Sequence, residues 1–222
     1  MNYWSIYASL SGFTTEIAEI IWRRNEEIEW LIDNFSETIV YSEIGRVILA
    51  KNISAEIMGA PLVLAMSTPG LRYIVKLEAD RHGKWLYSPL LDPTSVIART
   101  SIIRDGCVIN CNSSIASRTE LKSFVHVNRS ATIGHDNIIG EFVSIGPGAV
   151  LAGKVHVGYG SFIGAGAVIA PGVKIGSNST IGAGAVVIRD VENNAVAVGN
   201  PAKVIKYNEF GFQGYKVPPM NT

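Results

Sequence analysis

The 222-residue chain has only two cysteines, Cys107 and Cys111, and no excess of charge of either sign, because 19 Lys and Arg residues offset 19 Asp and Glu residues. Two thiols can form neither a disulfide framework nor a four-ligand zinc site, and their CxxxC spacing is not that of a redox CxxC pair. Without a basic run, the chain lacks the clustered positive charge that binds phosphate backbones. We therefore expect no nucleic-acid partner.

Long apolar runs are also missing from the sequence. No window approaches 18 uninterrupted apolar residues, and the first ten residues lack a basic region followed by an apolar stretch, so we expect neither a membrane span nor a secretory signal. A cytoplasmic protein without a membrane partner is the resulting expectation. With 47% hydrophobic and 17% charged residues, the composition favours a well-buried core.

What the sequence does contain is a repeat of six residues. Stepping by six from Ile97 to Val187 meets Ile, Leu or Val at all sixteen positions, without an insertion. Four residues after each aliphatic position the side chain is small or slim, from Ser101 to Val191, and Cys107 is one of these fillers. A chain that turns a corner every six residues makes three short faces per coil. The pattern therefore predicts a parallel β-helix of roughly five coils with both positions inside.

Glycine often follows the aliphatic position, as at Gly134, Gly140 and Gly146. We expect these glycines to adopt corner conformations that a Cβ would forbid.

Residues 1–92 have a different character, in which strand and helix patterns alternate. The segments WSIYASL, EIEWLIDN, APLVLAMST and KWLYSPLL read as strands, and EIAEIIWRR reads as a helix with a Thr N-cap. PGLRYIVKLEADRHG reads as a helix that Pro69 opens and Gly83 closes. Alternating strands and helices predict a small parallel α/β domain. We expect this domain at 1–92, the β-helix at 93–206 and a tail at 207–222.

One corner of the repeat carries a chemical pair. His135 stands two residues after Ile133, at a corner that faces outward, and Asp136 adjoins it. An imidazole titrates near neutrality and can take a proton from an attacking amine or hydroxyl, while a carboxylate holds its tautomer. Asn137, at an inward position that usually holds a smaller residue, makes the corner irregular. We predict that His135 is a general base and Asp136 its partner.

The repeat and the closing segment AVAVGNPAKVIK resemble the hexapeptide-repeat acyltransferases. The order of an α/β domain, the linker LLDPTSVIA and hexapeptides resembles the NeuD/PglD-type sugar acetyltransferases, in which a histidine before an IGEF stretch is the catalytic base. The resemblance implies a left-handed β-helix and a homotrimer with active sites at subunit interfaces. It also implies acetyl-CoA as co-substrate and a nucleotide-sugar acceptor held by a Rossmann-like N-terminal domain.

The resemblance implies further site residues one by one. Asn128 matches an asparagine near the amino group of the sugar, Gly153 matches a glycine whose N–H faces the thioester carbonyl, and Ser144 stands where relatives often have a histidine that touches the cofactor. The residues implied for acetyl-CoA are Ser144, Gly153, Ala165 and Ala183. The first loop, SLSGFTT, lacks the Gly-His of the family's first loop. Strand ends and turns of the N-terminal domain supply the candidates for the nucleotide crevice, which are Ser11, Gly12, Asp33, Asn34, Ser67 and Thr68.

The leading hypothesis is an N-acetyltransferase that acts on a nucleotide-linked 4-amino-4,6-dideoxy sugar for bacterial surface glycans, by direct transfer in a ternary complex. O-acetylation of a sialic acid would use the same base and stays open. A zinc site of the γ-carbonic-anhydrase kind needs three converging histidines, and the place five residues after His135 is Gly140, so we expect no metal. The alternative in which the protein is not an enzyme is a non-catalytic β-helix scaffold.

Overall fold

The computed structural model describes residues 3–8, 11–38, 42–54 and 57–219. Ser9 and Leu10, which begin the unusual first loop, lie outside the described residues, as do residues 220–222 of the expected tail. Among the helices within the described ranges, none is both long enough and apolar enough to cross a bilayer.

The N-terminal part is a four-stranded parallel sheet with two helices. Its strands are β1 Tyr3–Tyr7, β2 Glu27–Asp33, β3 Arg46–Leu49 and β4 Leu62–Leu64. They are paired in the order β3-β2-β1-β4, which is the order of the first four strands of doubly wound nucleotide-binding sheets. The predicted parallel α/β arrangement is confirmed, and the finer label of a Rossmann-like domain stays a prediction. The helices are α1 Thr14–Arg23 and α2 Pro69–His82, with 3₁₀ turns at Ala50–Asn52 and Ile57–Gly59.

Three details of this region differ from the sequence reading. The reading did not assign the edge strand β3. It took KWLYSPLL as a strand of the same sheet, but only Leu90–Leu91 is a strand, and it pairs with the β-helix, where its backbone groups continue a ladder. The expected Thr N-cap of α1 is wrong as well, because Phe13 holds that position without a side-chain cap. Helix α2 does begin at Pro69 and end before Gly83.

The rest of the chain is a β-helix whose strands form three walls. Strands 18 residues apart pair in parallel, so that Val127 lies opposite Ile145 and one coil takes 18 residues. The parallel walls and the hexapeptide repeat fit the predicted left-handed β-helix. The strands are β5 Leu90–Leu91, β6 Val96–Ile97, β7 Ile102–Ile103, β8 Val108–Ile109, β9 Ser114–Ile115, β10 Glu120–Leu121, β11 His126–Val127, β12 Thr132–Ile133, β13 Ile138–Ile139, β14 Ser144–Ile145, β15 Val150–Leu151, β16 His156–Val157, β17 Phe162–Ile163, β18 Val168–Ile169, β19 Lys174–Ile175, β20 Thr180–Ile181, β21 Val186–Val187, β22 Ala195–Val198 and β23 Lys203–Tyr207.

The three walls follow one another along the chain. We call the eight-stranded sheet β23-β22-β20-β17-β14-β11-β8-β5 the first wall, the six-stranded sheet β21-β18-β15-β12-β9-β6 the second wall, and the five-stranded sheet β19-β16-β13-β10-β7 the third wall. Each coil therefore has a first-to-second corner, a second-to-third corner and a third-to-first corner. Only β22 and β23 pair antiparallel among the described strands.

The repeat positions fill the interior of this prism as predicted. The aliphatic positions from Ile109 to Val187 are buried in one continuous column, and the slim positions from Cys107 to Val191 lie beside them. A buried aliphatic side chain of this size contributes roughly 1.5–3 kcal/mol, so the column dominates the stability of the helix. Burial also raises the pKa of the Cys107 thiol to about 12, which fits a core filler rather than a nucleophile.

The reason expected for the corner glycines is wrong. Positive φ occurs three residues after the aliphatic position, where Asp136, Phe142 and Gly148 all have φ between 57° and 65°. The glycines directly after the aliphatic position are needed for space instead. A Cβ on Gly134 would lie 2.6 Å from the backbone of Ala152 in the next coil, so these residues allow the coils to approach closely.

The N-terminal part docks on the third-to-first corner of the β-helix. The rings of Phe124 and Phe142 stack there with centroids 4.9 Å apart, and Tyr73 of α2 meets Phe142 edge-on. Arg72 of α2 is fully buried and donates to the carbonyl oxygens of Phe124 and Phe142 at 2.9 Å each. One core thus continues from the α/β sheet into the β-helix.

The C-terminal segment returns along the molecule instead of trailing from it. Val217 is buried, and its backbone exchanges two 2.9 Å hydrogen bonds with the side chain of Asn178. The ring of Phe212 stacks on Phe162, with centroids 3.8 Å apart. The described part of the tail therefore belongs to the folded unit.

Candidate functional site

The predicted pair lies at a second-to-third corner, between β12 and β13. The Nδ1 atom of His135 is 2.6 Å from Oδ2 of Asp136. Asp136 takes the left-handed conformation at φ 57°, as Phe142 and Gly148 do at the same place in the repeat, and Asp tolerates this conformation better than most residues. About half of the His135 side chain is exposed, so the ring is open to a ligand. The two residues are together as predicted, and their catalytic role stays a prediction.

Arg118 completes this corner, although the sequence analysis did not predict it as a site residue. Its guanidinium donates to both carboxylate oxygens of Asp136, at 2.6 and 2.9 Å. The hydrogen bonds from Arg118, and then that with His135, hold the pKa of the Asp136 carboxyl far below its usual range. Arg118 precedes Asp136 by 18 residues, which is one coil, so the repeat itself carried the signal that the two side chains stack.

Gly153 lies one coil above His135 and accommodates the imidazole. A Cβ at this glycine would be 2.5 Å from Nε2 of His135 and 2.7 Å from Cε1, so the ring occupies the space that a side chain would take. The carbonyl of His135 accepts a 2.8 Å hydrogen bond from the N–H of Lys154. The N–H of Gly153 donates to no acceptor among the described residues, so it is free for a ligand.

Ala165 and Ala183 lie at a different corner from His135. Both follow first-wall strands, β17 and β20, and both are exposed at the first-to-second corner. One chain therefore presents the candidate base and the candidate pantetheine contacts at neighbouring corners of a triangular prism. It does not bring the two groups together.

Three other predicted residues meet at a cavity between the α/β sheet and the first wall. Ser67 contributes from the loop after β4, while Ser144 and Asn128 contribute from the β-helix, and the cavity has a volume of about 150 Å³. Phe13, from the loop before α1, closes one side. His126 also lines this cavity and is buried, although the sequence reading gave it no chemistry and placed it on the outside of a strand.

Ser144 is more constrained than its predicted role as a cofactor contact requires. Its hydroxyl donates to the carbonyl of Ser67 at 2.5 Å and accepts from two guanidinium nitrogens of Arg72, each at 3.1 Å. Burial lowers the pKa of Arg72 to about 9, and no carboxylate pairs with its guanidinium in the described part of the chain. Arg72 and Ser144 together therefore fix the loop after β4 against the first wall.

A second cavity, of about 270 Å³, lies at the carboxyl end of β2. It is lined by Asp33 and Asn34 together with Lys51, Glu78 and other residues of the sheet edge. Asp33 Oδ1 accepts from the N–H of Phe35 at 2.8 Å, but Asp33 Oδ2 and Asn34 Oδ1 are buried without a hydrogen-bond partner among the described residues. Buried acceptors without donors favour a ligand that supplies them.

The remaining N-terminal candidates are placed differently. The Ser11 hydroxyl donates to the carbonyl of Ala65, next to the first cavity, and Gly12 has open space where a Cβ would point. Thr68 is buried, and its hydroxyl donates to Gln213 of the tail at 2.9 Å. Of the nucleotide candidates, Ser67 lines the first cavity, and Asp33 and Asn34 line the second. Ser11 and Gly12 line neither, and Thr68 is covered by the tail.

The three β-helix histidines lie on different parts of one chain. His126 is on the first wall, His156 is exposed on the third wall, and His135 is at the corner between the second and third walls. This spread gives no support within one chain to the three-histidine zinc alternative.

The comparisons with known proteins agree with the repeat. The family model of the bacterial transferase hexapeptide (six repeats) matches residues 154–189. No curated protein sequence matches the chain.

Solved structures extend the likeness over nearly the whole chain. The acetyltransferase domain of PglB from Neisseria gonorrhoeae FA1090, in complex with acetyl coenzyme A, is 28% identical, with a TM-score of 0.82, over 92% of this chain and all of that chain. A variant of perosamine N-acetyltransferase from Caulobacter crescentus, in complex with CoA and GDP-perosamine, is 24% identical, with a TM-score of 0.82, over 93% of this chain and 97% of that one. The similarity to the perosamine N-acetyltransferase shows that the two proteins share a fold. The predicted resemblance to sugar acetyltransferases of the hexapeptide type is confirmed.

Proposed function

We propose that this protein transfers an acetyl group from acetyl-CoA to the amino group of a nucleotide-linked 4-amino-4,6-dideoxy sugar, in bacterial surface glycan synthesis. The enzyme class and the co-substrate are confirmed by the similarity to the acetyl-CoA-bound PglB domain. The sugar, the base and the assembly are the proposal. The observation that carries it is the His135–Asp136–Arg118 corner, open at Nε2 beside Gly153.

The geometry of the corner supports His135 as the base. An ionised carboxylate can only accept, so the N–H at Nδ1 of His135 donates to Asp136, and Nε2 carries the lone pair. Nε2 accepts the amine proton as the amine nitrogen bonds to the thioester carbonyl carbon. Gly153 adjoins Nε2 of His135, and its N–H, which has no acceptor among the described residues, suits the oxyanion of the tetrahedral intermediate. The carbon–sulfur bond then breaks, and the proton on His135 goes to the departing thiolate.

The second cavity supports a nucleotide as the carrier of the sugar. Asp33 Oδ2 and Asn34 Oδ1, which have no donor among the described residues, lie at the carboxyl end of β2, where an acidic residue binds ribose hydroxyls in doubly wound sheets. A nucleoside presents hydroxyl and N–H donors to such acceptors. We therefore propose that Asp33 and Asn34 hold the nucleoside.

The separation of the two corners supports an active site between subunits. His135 lies at the second-to-third corner, and Ala165 and Ala183 lie at the first-to-second corner of the same coil stack. Two chains packed corner to corner would place the base of one beside the pantetheine contacts of the other. A cyclic trimer repeats this contact three times and closes the ring.

The base is tested by His135→Ala, with His156→Ala as the matched control at an exposed histidine of the third wall. Release of free CoA is measured with UDP-, GDP-, dTDP- and CDP-linked 4-amino-4,6-dideoxyhexoses and with free and CMP-linked sialic acid. We expect kcat to fall about 10²- to 10⁴-fold in His135→Ala and to stay unchanged in the control, because a general base is worth that much. The circular dichroism spectrum should not change.

Two results would contradict the proposal. Wild-type turnover in His135→Ala would remove the base from the mechanism. Turnover of sialic acids alone would replace N-acetylation by O-acetylation.

A further inference from the structure

Arg118 holds the carboxylate of Asp136 with two hydrogen bonds. It lies between β9 and β10, one coil below Asp136 and at the same second-to-third corner, where both residues have φ 57°. Its Nε atom donates to Oδ1 of Asp136 at 2.6 Å, and its Nη2 atom donates to Oδ2 at 2.9 Å. Two such bonds from one guanidinium to both oxygens of a carboxylate fix the plane of the carboxylate as well as its position.

The Oδ2 atom of Asp136 has a second neighbour, the imidazole. Nδ1 of His135 lies 2.6 Å from it, so one carboxylate oxygen accepts from both His135 and Arg118. The bond from Arg118 to Oδ1 prevents the carboxylate from turning away from the imidazole unless that bond breaks. The group that orients the base is therefore itself oriented from the coil below.

Another inter-coil pair shows what is particular to Arg118. Arg104 and Glu120 also join adjacent coils, but both nitrogens of Arg104 meet the same oxygen, with Nε at 3.0 Å and Nη2 at 2.9 Å from Oε1. Within the described ranges, Glu120 pairs with no other charged group. The fork that grips both oxygens and reaches an imidazole through them is thus a feature of the His135 corner.

The charges around His135 act on its protonated form in opposite directions. The carboxylate of Asp136 favours an imidazolium, and the guanidinium of Arg118 opposes one. The hydrogen bonds from Arg118 are the largest cause that keeps the pKa of the Asp136 carboxyl far below its usual range, so Asp136 stays ionised wherever the enzyme works. Lys154 is the charged residue of the same corner in the coil above, and its N–H donates to the His135 carbonyl at 2.8 Å.

We infer that Arg118 is a positioning residue for the base, which acts through Asp136 to hold the imidazole of His135 in place and to oppose its protonation. The inference rests on the proposed function. A base must be neutral to accept the proton of the amine, so the guanidinium extends activity toward lower pH. The site then spans three successive coils, with Arg118 in the lowest, His135 and Asp136 in the middle, and Gly153 in the highest.

The test compares Arg118→Met with Arg118→Lys, and Arg104→Met is the matched control at an exposed inter-coil pair. CoA release is measured with the acceptor panel between about pH 5.5 and about pH 9, which brackets the ordinary range of imidazole. The ring signals of His135 are titrated by NMR in histidine-labelled protein, and their absence from His135→Ala assigns them. A thermal melt of each variant completes the set.

We expect Arg118→Met to lower kcat about tenfold, because the carboxylate and with it the imidazole lose their fixed orientation. The acid limb of the kcat/KM profile and the NMR midpoint of His135 should both move up by about half a pH unit, since a nearby positive charge is gone. Arg118→Lys should keep the acid limb in place but recover only part of kcat, because an ammonium carries the charge without the fork. Arg104→Met should change none of these quantities.

A purely structural ion pair would give a different pattern. Arg118 is exposed, so we expect the melting temperature of Arg118→Met to change by less than about 2 °C. A lower melting temperature with wild-type kcat and an unmoved acid limb would overturn the inference.

A double variant tests whether Arg118 acts through Asp136. On the background of Asp136→Asn, Arg118→Met should cause no further fall in kcat, because two residues that act as a unit are not additive. Full additivity would overturn the inference. If the wild type acetylates none of the acceptors, the proposed reaction fails, and the NMR midpoint of His135 decides the inference: an upward shift in Arg118→Met upholds the coupling, and an unchanged midpoint ends it.

Discussion

The most informative single change is Gly153→Ala, because it adds one methyl group beside the proposed base. The new Cβ would lie 2.5 Å from Nε2, 2.7 Å from Cε1 and 3.0 Å from Cδ2 of His135, whereas carbon atoms in contact normally stay about 3.5–4 Å apart. The imidazole must therefore move by about 1 Å. Gly153 does not need positive φ, so the backbone accepts alanine.

The expected result is a catalytic defect without a folding defect. A displacement of about 1 Å in a reacting group can cost about 10²-fold in rate, so we expect kcat to fall by about that factor. The melting temperature should change by less than about 2 °C, because the clash is relieved by a half-exposed side chain and alanine reduces the entropy of the unfolded chain. Ala165 and Ala183 already occupy the equivalent place in their own coils, two residues after the aliphatic position.

The assay is CoA release under saturating acceptor, with thermal melts of the same preparations. Gly59→Ala is the control glycine, since no heavy atom lies within 4 Å of its Cβ position. The decisive comparison is the double variant Gly153→Ala/His135→Ala, because two changes that act through one group do not add. It should be no slower than His135→Ala alone. Wild-type kcat in Gly153→Ala, or full additivity in the double variant, would refute the placement of the base.

Two further predictions concern the assembly and the junction of the α/β sheet with the β-helix. Chains carrying His135→Ala and chains carrying Ala183→Trp, each inactive alone, are refolded together in equal amounts. If each site takes one corner from each of two neighbouring chains, the mixture should recover about a quarter of wild-type activity. No recovery would place the whole site in one chain. Arg72→Met should lower the stability by about 3–5 kcal/mol, because buried carbonyls such as those of Phe124 and Phe142 lose their donors. This corresponds to a fall of roughly 6–20 °C in a calorimetric melt, and a fall below 2 °C would contradict it.

Parts of the site were visible in the sequence because the β-helix is nearly one-dimensional. Once a coil is known to take 18 residues, neighbours in space follow from arithmetic: His135 lies below Gly153, and Asp136 lies above Arg118. The contact between His135 and Asp136 is predictable without the coil length, since the two residues are adjacent in the sequence. The contact between Arg118 and Asp136 follows from the same spacing of 18 residues.

Other parts could not be read from the sequence, because they depend on contacts between distant segments. Arg72 looks like any arginine on an amphipathic helix, and only docking on the β-helix turns it into a buried group with Phe124 and Ser144 as partners. His126 looks like an outward strand residue, and only the loop that carries Phe13 closes over it. The short edge strand β3 is stabilised by its pairing with β2 rather than by a strong local pattern.

The sequence alone determined the β-helix, its core and the place of the catalytic candidate, because an uninterrupted six-residue period buries all its aliphatic side chains together only when the chain coils into a β-helix. The tertiary structure decided how the α/β sheet meets the first wall, and with it the two cavities, the burial of Arg72 and His126 and the return of the tail to Val217. Those features arise where two surfaces without a common period pack together, so the side chains that meet there are set by the docking and not by any local pattern.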